Sequence, residues 1–109
     1  MMRSNVSNSK QEAVASSTQT GAAGPIAVNP ALPSGSTGMP VYIELSGTVA
    51  GYAVINIGTV GQIVVVNNPS GGPTRKAIPA GSFKGPTNSV PVNLTFPAAG
   101  TLTVVIGFV

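Results

Sequence analysis

From Met39 onward, apolar and polar residues alternate strictly, which predicts half-buried β-strands. Val41, Ile43 and Leu45 point one way, and Tyr42, Glu44 and Ser46 point the other. After a glycine-containing break at Thr48–Gly51, Ala53, Ile55 and Ile57 repeat the pattern. Ile63 to Val66 is a continuous apolar run, which predicts a strand covered on both faces. Val90, Val92, Leu94 and Phe96 alternate again, as do Leu102, Val104, Ile106 and Phe108. A short loop joins these two runs, so they read as a β-hairpin with Gly100 at a positive-φ position. Pro91 lacks a ladder donor, so 90–96 is expected either as an edge strand or in a hairpin that pairs on one side only.

Loops separate these runs. Asn67-Asn68-Pro69-Ser70-Gly71-Gly72-Pro73 is turn chemistry throughout. Ile78 to Phe83 reads as a strand end turning sharply into another short strand. Together the elements predict an all-β fold: a small antiparallel β-sandwich or barrel of about six or seven short strands.

Residues 1–39 differ in character. They are rich in Ser, Thr, Ala, Asn, Gly and Pro and lack apolar periodicity. Pro25, Pro30 and Pro33 hold the chain extended, and Ser34–Gly38 is linker chemistry. Residues 11–16 have the composition for one helical turn, too short to persist alone. The expected organisation is an extended N-terminal arm, 1–39, that orders on partner subunits, and a β-sandwich domain, 40–109.

Composition narrows the function. Among 109 residues there is no His or Cys, and the two carboxylates are Glu12 and Glu44. General acid–base catalysis needs a group titrating near working pH, and a Ser or Thr nucleophile needs an adjacent base. Only Lys10, Lys76 and Lys84 are available as bases, so no enzyme is expected. Zinc and copper want imidazole or thiolate, so neither a metal nor a cofactor is expected. Arg3, Lys10, Arg75, Lys76 and Lys84 are scattered and form no basic patch of the kind that binds nucleic acid. Met1 to Thr20 lacks the apolar region of a signal peptide, and no run reaches the length of a membrane span. Synthesis and assembly in the cytosol are expected, without a membrane partner.

Charged residues make up 6% of the chain, against roughly 25% in typical soluble domains. So few charges point to a surface that other protein covers, the alternative being a monomer made soluble by Ser, Thr and Asn. A core this small supplies only about 3–5 kcal/mol, and neither disulfide nor metal supplements it, so an obligate oligomer is expected. The apolar, uncharged runs 63–66 and 103–106 are aggregation-prone if left open. The expected interface residues are Val14, Pro25, Ile26, Val28 and Leu32 in the arm, Val64 and Val66, and Val105, Phe108 and Val109 near the C-terminus.

Three segments carry a family resemblance: Val54-Ile55-Asn56-Ile57-Gly58-Thr59-Val60, Val64-Val65-Val66-Asn67-Asn68 and Ala77-Ile78-Pro79-Ala80-Gly81-Ser82. They resemble small β-sandwich virion proteins of tailed bacteriophages, and the layout is similar to head decoration (cement) proteins. The resemblance implies a capsid location, assembly in the host cytoplasm, the major capsid protein or another virion protein as partner, and a homo-oligomer, with a trimer favoured. Two alternatives share the composition. One is a tail, neck or fibre-attachment component. The other is a small carbohydrate-binding module, which would use Tyr42 and Tyr52 as neighbouring platforms across the 46–51 turn.

Overall fold

A computed structural model of the chain describes residues 13–57 and 61–109. They form eight strands: β1 (Ala13–Gly21), β2 (Gly24–Val28), β3 (Pro40–Gly47), β4 (Tyr52–Asn56), β5 (Gln62–Val66), β6 (Thr74–Ala77), β7 (Val92–Phe96) and β8 (Gly100–Phe108). Two four-stranded antiparallel sheets result. Sheet A has the order β1-β8-β3-β6 and sheet B the order β2-β7-β4-β5.

These orders have one origin. The chain folds back on itself between β4 and β5, whose ladder ends where the Ile57 amide donates to the Gly61 carbonyl at 2.9 Å. Outward from that tip the pairs nest: β4 with β5, β3 with β6, β2 with β7 and β1 with β8. The connecting segments continue the nesting through Ala31 opposite Ser89 and Gly38 opposite Thr87. Rolling this long double strand so that β8 also meets β3, and β7 meets β4, closes the two sheets. The result has the strand order of a jelly roll.

Alternation places the core between the sheets. Ile43, Leu45, Leu102, Val104, Ile106 and Phe108 face inward from sheet A. Ala53, Ile55, Val65, Val92, Leu94 and Phe96 meet them from sheet B. Gly47 lets β3 leave sheet A. Its φ of 151° is rarely open to other residues, and a Cβ there would run into the Thr101 carbonyl oxygen.

The fold class is as expected, with more strands than expected. Residues 13–28 are not an arm outside the domain: β1 pairs with β8 along its whole length, from Ala13–Phe108 to Gly21–Gly100. The helical turn expected at 11–16 is strand from Ala13 onward, while residues 1–12 lie outside the described residues. β7 and β8 form no hairpin, because they belong to opposite sheets and the Pro97–Ala99 link crosses between them. Gly100 accordingly has no positive φ; it is small because a Cβ would strike Val49. β7 is no edge either: it lies between β2 and β4, and Pro91 precedes its first paired residue. β5 is an edge strand with Val64 and Val66 exposed, not a strand covered on both faces. After Ile78 the chain makes a turn, closed by the Ser82 amide on the Pro79 carbonyl, and no strand follows until β7.

Candidate interaction surface

No cavity opens among the described residues, so the candidate site is an outer surface. The two sheets present very different ones. On sheet A, Tyr42, Glu44 and Arg75 share the outer face by register, since Tyr42 lies opposite Gly107 and Glu44 opposite Arg75. The Arg75 guanidinium stacks 3.8 Å from the centre of the Tyr42 ring and reaches the Glu44 carboxylate at 3.1 Å. The ring also lies across Gly107, where any Cβ would collide with it. Further along, Thr18 pairs with Thr103 and Thr20 with Thr101 through hydroxyl hydrogen bonds of 2.9 and 3.0 Å. Polar groups on this face largely satisfy one another.

Sheet B is different. None of the residues in β2, β4, β5 and β7 is charged. Its outer face carries Tyr52, Val54, Val64 and Val66, and Tyr52 and Val66 are opposed across the β4–β5 ladder. Tyr52 is 40% exposed and Val66 57%. Asn93 and Thr95 flank them on β7, and Gln62 donates to Asn56 at the far end. This combination of exposed apolar groups and no charge is the property of an interface core.

Comparison with known proteins adds no family. The chain matches no family model and no curated protein.

The expected interface residues do not form one patch. Val64 and Val66 lie on the uncharged face, and Pro25 is exposed at its other edge in β2. Val14 is exposed on the opposite side of the molecule, on the outer face of β1, with Val105 half-buried on the same face. Val109 is exposed at the chain end, hydrogen-bonded through its backbone to Met39. Leu32 and Phe108 are core residues, buried to 4% and 0% exposure, so they present no contact surface. Ile26 and Val28 turn inward and pack against the same core. Val54 was not among the expected residues, although its alternation with Ala53 and Ile55 already placed it outward.

The two tyrosines are not neighbouring platforms. Tyr42 is buried beneath Arg75 in sheet A, whereas Tyr52 belongs to sheet B. The loops at the end of the molecule between them are tied down. Asn67, itself buried, donates to the Gly47 and Val49 carbonyls at 3.2 and 2.7 Å, and its amide donates to the Gly51 carbonyl.

Proposed function

We propose that this chain is a structural virion protein, a capsid decoration (cement) or minor capsid protein that docks on shell subunits and bridges them. The observation that carries this reading is the uncharged, apolar outer face of sheet B on a jelly-roll sandwich. Jelly rolls serve capsid and lectin domains alike, so the fold by itself is an analogy. The placement of Tyr42 and Tyr52 in different sheets, one of them covered, favours the structural role over carbohydrate binding. The partner is the major capsid protein or another virion protein, with a matching apolar surface. Bridging works mechanically: each docked copy adds buried area across a joint, and many symmetry-related copies act together.

Docking is best tested on sheet B. Deleting residues 2–30 would remove β1 and β2, so a loss of binding would report unfolding instead of a lost contact. Val54→Glu instead places a charge on the outer face and leaves the inward core untouched. Purified protein should cosediment saturably with shells assembled without it, and Val54→Glu should weaken that binding about tenfold or more, equivalent to about 1.4 kcal/mol. Absence of binding by the unmodified protein, or equal binding by a folded Val54→Glu variant, rules the reading out.

A further inference from the structure

Among the described residues, the four edge strands of the sandwich are β1 and β6 in sheet A, and β2 and β5 in sheet B. Open edges template unwanted strand pairing, and proteins protect them with charge, proline or inward polar groups. β6 is short and carries Arg75 and Lys76. β2 carries Pro25. On β1, Ser17 and Gln19 hold inward positions opposite Val104 and Leu102, so a strand added there would bury them between sheets. β5, Gln62-Ile63-Val64-Val65-Val66, has none of these devices.

Its free backbone groups follow from the ladder. The Ile57 amide bonds the Gly61 carbonyl at one end of the β4–β5 pair, and the Asn67 amide bonds the Gly51 carbonyl at the other. Hydrogen-bonded and non-hydrogen-bonded pairs alternate along an antiparallel ladder. Ile63 and Val65 therefore direct their N–H and C=O groups to β4, while Gln62, Val64 and Val66 direct theirs away from the sheet.

We propose that β5 pairs antiparallel with β5 of a second copy of this chain, about a two-fold axis at Val64. In this register Val64 exchanges two hydrogen bonds with its own copy, and Gln62 exchanges two with Val66 of the second copy, and the reverse. Every outward group of the strand is then paired. Ile63 falls opposite Val65 of the second copy, so inward residues meet inward residues and both cores stay closed. Shifting by one residue would oppose inward to outward positions. A shift of two residues leaves an outward group of Val66 or Gln62 without a partner on the opposing β5.

The self-complementary register favours a second copy as occupant, and the neutrality of sheet B allows it. A two-fold axis brings each residue near its own copy, so any charge on the strand or its neighbours would repel itself. No strand residue of sheet B is charged, so the axis opposes no like charges within the sheet; Arg75 and Lys76 lie on β6 of sheet A. The product is one continuous sheet that merges the two Val64 and Val54 faces. This two-fold dimer stands independently of docking to a shell, and it is a different assembly from the trimer implied by resemblance.

The test uses the full chain in solution. Sedimentation equilibrium should show the mass rising from the 10.8 kDa chain mass towards twice that value as concentration increases through the micromolar range. Amide exchange at Gln62, Val64 and Val66 should slow at least about tenfold as concentration rises, while Ile63 and Val65 stay protected throughout. Val64→Pro removes an outward donor and no hydrogen bond of the β4–β5 ladder, so it should leave a folded monomer. A wild-type monomer at all concentrations, a trimer, a folded Val64→Pro variant that still dimerises, or unprotected Val64 and Val66 amides in the dimer would each overturn the proposal.

Discussion

Tyr42 shows how one glycine shapes a surface. Gly107 is buried on β8 directly beneath the ring, and its missing side chain lets the ring lie flat across the sheet. Arg75 then closes over the other side of the ring. The Arg75–Glu44 ion pair is itself mostly solvent-facing, with the arginine side chain 56% exposed, and such pairs contribute about 0–1 kcal/mol. Steric fit matters more than charge here. Gly107→Ala should therefore destabilise the fold by about 1–3 kcal/mol, the usual cost of overpacking, as measured by urea denaturation. In a Tyr42→Ala background the same substitution should cost much less, because the ring it strikes is gone. An equal cost in both backgrounds would place the strain elsewhere, at the β8 backbone.

At the scale of elements, β1 and β2 decide whether the sandwich closes. β2 covers Val92, Leu94 and Phe96 by pairing with β7, and β1 flanks β8 from Gly100 to Phe108. A chain lacking residues 2–28 would expose backbone along both β7 and β8 and open the core at Phe108. It should lose cooperative unfolding in a thermal scan followed by circular dichroism, whereas an arm dispensable for folding would leave the transition in place. The reason these strands were not legible in the sequence lies in their position. β1 alternates Ala15, Ser17 and Gln19 inward with Val14, Ser16, Thr18 and Thr20 outward, so both faces are small or polar. An edge strand at an open flank needs no apolar stripe, and without one the period of two disappears. β3, β4, β7 and β8 face the filled core, and there alternation was legible. Pairing was not: alternation fixes which side a residue faces and says nothing about which sheet a strand joins. For that reason β7 and β8 read as a hairpin from sequence, and Phe108 reads as an interface residue while its partner Ala13 falls within the expected arm. The surface followed the same rule. The apolar run at 63–66 was visible, but its edge position, and hence the exposure of Val64 and Val66, depends on the strand order.

The nested order also governs how the whole molecule must form. Among the described strands, only β4 and β5 are neighbours both in sequence and in the sheet, and the Ile57 amide bonded to the Gly61 carbonyl ends their ladder. Every other pair spans a longer segment, ending with Ala13 against Phe108. Each step outward closes a larger loop before its contacts stabilise it, and topologies dominated by such pairing fold in about milliseconds to seconds, at the slow end for small domains. Nesting makes the order of events predictable. The β4–β5 hairpin and the β3–β6 pair around it can form before β1 finds β8, since their closure depends on shorter loops. Substitutions near the tip, such as Ile55→Val, should then slow folding, while Ala15→Gly in β1 should mainly speed unfolding. Stopped-flow chevrons of the two variants measure this directly. If Ala15→Gly slowed folding as much as Ile55→Val, association of the chain ends would precede the hairpin, and the roll would close from its open end inward.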